Sequence, residues 1–564
     1  MTAFIIILAS LALLILMIIL LIIVPSPSVQ KCALEEKEVL ITGEQTCRLE
    51  GNWMRRSKSG LWELYVKGSP YERGLATGKL TRELMKRQES LFVEQITRLI
   101  PSKIYLSFLK VLVALMNRRL YKHIGPEYCS EIYGISRSAP KEFSFVGPAY
   151  LRMLNYHAAH DIGHTLQDMH LVKCTAFSVW GDKSVNGEIF TARNFDFYVG
   201  DEFSKEKIIC FCEPESGHRF ATITWGGMIG SVSGMNEHGL AVTVNGAKAE
   251  FPTGSATPIS ILVREILQYA RNIDEAWQIT IKRKIFVSES LMISSAEDGK
   301  SVLFEKSRLR TVRYESGTHQ LICTNHFQSP ELAAHPSNQK YMRESPSPYR
   351  YRRVEELLSQ QDRCGAGELA DILRNKLGLE DRNIGMGNEK AVDQMLAHHS
   401  VIFNPCSRKF WISKGPYPEG AYQCYDLRKV FASGSNADEK QEITEASLEI
   451  PDDPILSSVE WNNWTLYKKY VGRYTDKSVP DPDPETDDAA FIASNPELFT
   501  VYSVLGDHYL GKGDVQRAAE YYRTGLSKDI PNLNEKKQME KRLLKAEKKK
   551  AQSGNSQPKH GSHA

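Results

Sequence analysis

The chain has no CxxC pair and no dense cysteine framework. Its ten cysteines, at 32, 47, 129, 174, 210, 212, 323, 364, 406 and 424, are scattered over 564 residues, which leaves neither a zinc ribbon nor a disulfide scaffold to build on. An excess of one charge is lacking too. The 71 Lys and Arg against 68 Asp and Glu give a net +3, too small a field to gather nucleic acid or a polyacidic substrate. No HExxH occurs, so the common helical zinc-protease signature is absent. Long apolar runs are missing with one exception: residues 4–24, FIIILASLALLILMIILLIIV, carry no charge and are long enough to cross a bilayer as one helix. Only Met1 to Ala3 precede this run, and Ser26-Pro27-Ser28 is a poor cleavage site, so an uncleaved membrane anchor is expected rather than a removable signal. Lys31, Lys37 and Arg48 all follow it, which the positive-inside rule reads as an inward C-terminal side. Long domains translocate regardless of charge, and a periplasmic or extracellular catalytic part is the expectation here.

Texture along the chain marks further boundaries. Residues 1–30 read as the anchor and 31–173 as a mainly α segment, with LWELYVKG as a strand before helical patterns at about 71–100, 104–120 and 146–160. At Cys174 short strands begin, CTAFSVWG, GEIFTARN, KIICFCE, RFATITW and GLAVTVN, rich in β-branched and aromatic residues. Helices are expected at about 257–271 and 273–283, the second capped by Asn272, then a strand meander to QLICTNH, two more helices and three closing strands. Blocks of this kind predict layered sheets flanked by helices, an α+β fold, over 174–435. Residues 436–490 read as a linker, acidic and proline-rich at TDKSVPDPDPETDDAA. The segment 491–547 spaces Tyr502, Leu505, Gly506, Tyr509, Ala518, Tyr522 and Gly525 like one tetratricopeptide (TPR) repeat, a candidate site for a protein partner, and 548–564 reads as a disordered basic tail.

Cys174 at a strand mouth is by itself more often a small core residue than a nucleophile. Its companions change the reading. KCTAFSVWG, TARNFDF, GMNEHGLAVTVNGA, LICTNHF and SPSPYRYRRVEELL, preceded by KGSPYERGLATGKL, occur in one order across about residues 60–430. Together they resemble the cysteine N-terminal nucleophile (Ntn) hydrolases of the penicillin acyl-coenzyme A acyltransferase-like branch, peptidase family C45. The likeness extends more distantly to bile salt (choloylglycine) hydrolases and penicillin V acylases. That resemblance implies an Ntn-hydrolase αββα sandwich and self-cleavage between Lys173 and Cys174, with both pieces staying associated. It implies no cofactor and no catalytic metal. The freed α-amino group of Cys174, with an ordinary pKa of about 7.7–8, suits a general base near neutral pH. The thiolate would form an acyl-enzyme on a linear, non-peptide amide and pass the acyl group to water or an amine. By the same resemblance Arg193 lowers the thiol pKa, Asp196 holds the α-ammonium, Asn245 donates to the oxyanion, a contribution of about 2.7–4 kcal/mol, and Asn325 and Arg350 complete the site. Arg193 and Asp196 are three apart on a strand, so simple alternation puts them on opposite faces and a bend is expected to bring both to Cys174. Arg350 stands in a run with Arg352 and Arg353, either of which could be the residue that matters.

Two rival readings come from elsewhere in the chain. NYHAAHDIGHTLQDMH sets His157, His160 and His164 at i, i+3, i+7 with Asp161 among them, a face that could hold a divalent ion for a metal-dependent hydrolase. A non-enzymatic, membrane-anchored scaffold working through its TPR-like segment is the other.

Overall fold

The computed structural model describes residues 24–100, 102–158, 161, 172–197, 200–250, 255–438, 441–476, 482–483 and 486–554. Residues 1–23 of the expected anchor lie outside these residues, as do His160, His164 and residues 555–564 of the tail. Upstream of Cys174 come strands β1 (Leu40–Gly43), β2 (Thr46–Leu49), β3 (Asn52–Arg56) and β4 (Trp62–Gly68). Helices α1 (Pro70–Leu80), α2 (Arg82–Leu99), α3 (Lys103–Asn117), α4 (Pro126–Ser136) and α5 (Ala149–His157) follow. The central part holds β5 (Val172–Val179), β6 (Phe190–Phe197), β7 (Ile208–Pro214), β8 (Phe220–Thr224), β9 (Ser233–Asn236), β10 (Leu240–Gly246), α6 (Ile259–Tyr269) and α7 (Ile273–Lys282). It continues through β11 (Glu289–Ser295), β12 (Lys300–Lys306), β13 (Thr311–Tyr314), β14 (Gln320–Cys323), α8 (Ser347–Ser359), α9 (Ala366–Leu373), β15 (His399–Asn404), β16 (Lys409–Ser413) and β17 (Tyr422–Asp426). Helices α10 (Val459–Thr475), α11 (Thr486–Ser494), α12 (Phe499–Lys512), α13 (Val515–Leu526) and α14 (Leu533–Gly554) end the described chain.

Two sheets form, one of eleven strands in the order β1-β2-β3-β4-β7-β8-β9-β10-β11-β12-β13, the other of six in the order β14-β5-β6-β15-β16-β17. Alternation along the strands decides how they stack. Ile209, Phe211, Ile223, Met235 and Ala241 of the large sheet meet Val401, Phe403, Phe410, Ile412 and Tyr425 of the small one. The intervening residues Cys210, Cys212, Val242, Val244 and Phe304 turn outward onto α1, α6 and α7, and Phe177, Val179 and Ala192 on the small sheet's outer face onto α8 and α9. The result is four layers, helix on sheet on sheet on helix, in which each fully buried large apolar side chain contributes about 1.5–3 kcal/mol.

The KGSPYERGLATGKL stretch explains itself locally. Ser69 and Glu72 form a capping box with Pro70 at the first helical position. Arg73 pairs with Glu131 of α4 at 2.6 Å, with Arg264 also on Glu131 at 3.3 Å, all three buried. At Gly74 the backbone of α4 comes so near that an added Cβ would lie 2.0 Å from the Glu131 carbonyl oxygen.

Several expectations are corrected. The segment 31–173 is not mainly α at its start, because β1 to β4 join the large sheet, and β4 pairs in parallel with β7 near its middle. β1 is exposed throughout and lacks an apolar alternation, which hid it. The expected linker 436–490 contains α10, capped by the Ser458 side chain accepting from the Trp461 N–H, with Trp464, Tyr467 and Tyr474 buried at helical spacing. The expected disordered tail is helical to Gly554, since Lys, Ala and Gln are good helix formers. Helices α10 to α14 share one apolar cluster with Met395 and Tyr417 of the layered domain. Among the described residues no single helix is long and apolar enough to cross a membrane; α2 and the residues through Lys122 pass that test only as a pair bent by 120°.

Candidate active site

Strands β5 and β6 pair in register without a bulge, Lys173 opposite Asp196, Cys174 opposite Phe195 and Ala176 opposite Arg193. The expected bend is therefore absent. Arg193 shares the Cys174 face and Asp196 the Lys173 face, so the two residues flank the same peptide from opposite sides.

On the inner face, Arg193 donates to Cys174 Sγ at 3.3 Å, to the carbonyls of Val232 and Val244, and to Ser233 Oγ. Its guanidinium also lies 4.5 Å from the Phe195 ring centroid. Among the described residues it makes no ion pair within salt-bridge distance, and its charge acts on the Cys174 thiol and on the buried Asp196 and Glu289 carboxyls. Burial pushes the Cys174 thiol up and Arg193 draws it back down, with the net above the ordinary value. In the uncut chain the sulfur is a protonated thiol.

On the other face, Arg350 at the first turns of α8 donates to the Cys174 carbonyl and Thr175 Oγ1, both at 2.7 Å, and to Asn325 Oδ1 at 2.7 Å. The Cys174 backbone N–H donates to that same Asn325 oxygen at 3.1 Å. Ser347, three residues before Arg350, accepts the Asn325 N–H on its Oγ at 2.8 Å, so the Ser-x-x-Arg turn fixes Asn325 and Cys174 together. Of the three arginines Arg350 is the one that reaches Cys174: Arg353 turns to Glu356 and Asp381, and Arg352 is exposed. Asp196 Oδ2 accepts from Gln394 Nε2 at 2.7 Å, while Oδ1 has no hydrogen-bond partner. Burial pushes this carboxyl up to about 7, against the opposing pull of Arg350, Lys173 and Arg193. The Lys173 ammonium pairs with Glu389.

Asn245 departs from its expected use. Its Nδ2 donates to the carbonyls of Cys323 and Thr324 at 2.9 and 3.2 Å and its Oδ1 is unpartnered. Both N–H groups are thus committed to tying β10 to the end of β14, and an oxyanion role requires that one of them be released. Sequence reasoning missed Gln394, Glu389 and the chain running from Ser233 Oγ to His399 Nε2 (2.8 Å) and on to His398. Burial pushes His398 down to about 3 and His399 well below its ordinary value, so both are neutral beside Arg193. HSVIFNP was legible only as a strand, and nothing in its pattern marked His399.

A small cleft of about 50 Å³ lies between α2, α5 and the Trp225 loop, lined by Met85, Gln88, Phe92, Met153, Tyr156, Phe197, Phe203 and Trp225. Phe197, Phe203 and Trp225 also pack in the cluster that contains Cys174, so one apolar wall runs from the cleft to the sulfur.

Of the proposed histidine face, only His157 and Asp161 lie among the described residues. His157 is buried, its Nδ1 on the Met153 carbonyl and its Nε2 accepting from the Ile229 N–H, so neither nitrogen is left for an ion. Asp161 instead accepts from the Ile259 N–H at the start of α6. Elsewhere among the described residues His218, Glu237 and His238 come together, but Glu237 is held by Arg219 at 2.7 Å.

The chain has relatives among known proteins. It is 25% identical over 233 residues to an uncharacterized protein of Archaeoglobus fulgidus, covering 39% of this chain and 38% of that one. It is 25% identical over 243 residues to protein dcd1A of Dictyostelium discoideum, covering 38% and 51%. The chain thus spans 38% of the first relative's length and 51% of the second's. Among solved structures it is similar to the Caenorhabditis elegans ortholog of N-acylethanolamine-hydrolyzing acid amidase, at 15% identity and a TM-score of 0.30 over 41% of this chain and 93% of that one. It is also similar to a mutant of the conjugated bile acid hydrolase of Clostridium perfringens, at 13% identity and a TM-score of 0.33 over 45% and 93%. Residues 183–415, which take in Arg193, Asp196, Asn245, Asn325 and Arg350 and begin nine residues after Cys174, match the family model for acyl-coenzyme A:6-aminopenicillanic acid acyl-transferase.

Proposed function

We propose that the protein is a cysteine Ntn hydrolase or acyltransferase that matures by cutting its own chain before Cys174. The thiol attacks the Lys173 carbonyl carbon, the Lys173–Cys174 C–N bond breaks as the thioester forms, and water hydrolyses that thioester. The products are a Lys173 carboxylate and a free Cys174 α-amine. The amine takes the thiol proton, the thiolate adds to the carbonyl of a linear amide, and the departing amine receives the proton back. Water or a second amine then accepts the acyl group. The observation that carries the reading is the setting of the Cys174 nitrogen: it already sits on Asn325 Oδ1, Arg193 meets its sulfur, and Asp196 lies across the strand with an unpartnered oxygen. The new ammonium would give that oxygen its partner and Asp196 its counter-charge. The wall of Phe197, Phe203 and Trp225 supports an apolar acyl group beside the sulfur. Residues 4–24 would tether the enzyme with its catalytic part on the extracytoplasmic side, and helices α10 to α14 would offer a protein partner a TPR-like face.

Intact mass and N-terminal sequencing of the purified protein, beside a Cys174→Ala control, test the proposal. A new terminus reading Cys-Thr-Ala-Phe-Ser in the first sample alone is expected. One uncut chain in both samples would overturn self-processing.

A further inference from the structure

Helix α3 breaks the usual relation between apolarity and burial. A helix that is apolar over most of its surface is ordinarily buried, yet α3, KIYLSFLKVLVALMN, buries only Asn117. Ile104 is 86% exposed, Phe108 60% and Tyr105 50%, with Val111 and Leu112 above a third. Lys110 Nζ donates to the Phe145 carbonyl at 2.8 Å, and Phe145, itself 61% exposed, extends the same patch from a different part of the chain.

Charge and position say what covers it. Between Gln95 and Pro126 there is no Asp or Glu, while Arg98, Lys103, Lys110, Arg118, Arg119 and Lys122 all fall there. Just beyond α3, Leu120 and Ile124 belong to a buried cluster against which Val24, the last residue of the apolar run 4–24, also packs. At its other end α3 follows α2, whose Met85, Gln88 and Phe92 line the cleft.

We propose that α3 and Phe145 form a docking surface for an anionic lipid bilayer. The helix lies in the interface plane, its apolar side chains at the acyl boundary and its lysines and arginines among the headgroups. Its polar residues Lys103, Ser107, Lys110 and Asn117 fall on one stripe at helical spacing, apolar residues cover the rest of the circumference, and every formal charge on the segment is positive, the arrangement a headgroup–acyl boundary matches. Resting on the reading of Cys174 as nucleophile, the docked cleft would draw its amides from the bilayer, which makes membrane-dissolved acyl amides the substrate class.

Hydrogen exchange on the full chain carrying Cys174→Ala tests the docking apart from catalysis. The protein is reconstituted in phosphatidylcholine vesicles with and without about 30% phosphatidylserine. Amides of 103–117 are expected to exchange about tenfold slower in the anionic vesicles. The double variant Ile104→Glu, Phe108→Glu, checked for an unchanged melting midpoint, should lose that protection. Equal exchange in both vesicles, protection that the variant retains, or protection that follows protein concentration as a second copy would cause, overturns the proposal. With Cys174 restored, the double variant should slow turnover of vesicle-borne amides and spare the same amides in detergent micelles. Loss of turnover in every sample while α3 stays protected would sink the nucleophile reading alone.

Discussion

Asp196 offers the most direct measurement of strain held in the uncut chain. Its folded pKa of about 7 lies above the ordinary 3.8, so the folded state binds this proton more tightly than the unfolded state does. The stabilisation is complete below about pH 3.8 and is lost as pH rises through about 7. About three pH units at ~1.36 kcal/mol each put the penalty of the buried carboxylate at about 4 kcal/mol by pH 8. Asp196→Asn keeps an oxygen for Gln394 Nε2 and removes the ionisation. In a Cys174→Ala background, urea unfolding should show the Asn variant more stable by several kcal/mol at pH 8, with the gap closing toward pH 4. In cut wild-type protein the order should reverse, because the α-ammonium then pairs with the carboxylate. A gap that is the same at pH 5 and pH 8, or an Asn variant less stable at pH 8, would refute the reasoning.

Gly74→Ala forces a Cβ to within 2.0 Å of the Glu131 carbonyl oxygen; it should destabilise by about 1–3 kcal/mol or more in urea, while Gly472→Ala, with open space around it, should be neutral or stabilising by up to about 1 kcal/mol. Arg193→Gln removes the charge at 3.3 Å from Cys174 Sγ, and the pH profile of thiol alkylation should move up by about one unit or more; an unmoved profile would deny Arg193 its role. Phe92→Ala widens the cleft, and kcat/KM across an acyl-length series should shift toward longer chains, at a stability loss of about 1–3 kcal/mol because Phe92 is only half-buried. Unchanged length preference would mean that the cleft does not receive the acyl group.

The sheet that carries Cys174 was legible because its strands alternate cleanly and end at turn residues; from Cys174 onward most strands stand where the pattern put them. Asn272 does cap α7, its side chain accepting from the Glu275 N–H. The pairing partners of the site were a different matter. Gln394 meets Asp196 from 198 positions away, and no local period encodes such a contact. Helical spacing describes where side chains point but not what they meet: His157 spends both nitrogens on backbone groups that only the fold brings near. Likewise β1 to β3 are short and half-polar because they form the edge of a sheet whose other strands lie far along the chain. The aromatic spacing of α10 was visible, yet the acidic, proline-rich stretch after it coloured the whole interval as linker.

The parallel pairing of β4 with β7 has a consequence for how the protein lasts. Seven residue pairs, Trp62 with Ile208 through Gly68 with Pro214, would join the two products of a cut before Cys174. Before the cut, the intervening loop keeps these strands at a high effective concentration, and a chain that opens can close again. After it, opening lets the pieces diffuse apart, and re-formation becomes a dilute two-body encounter. Maturation would then exchange reversible folding for persistence governed by the rate of first opening, so a matured sample heated past its transition should not recover on cooling, while the Cys174→Ala chain retains a route back.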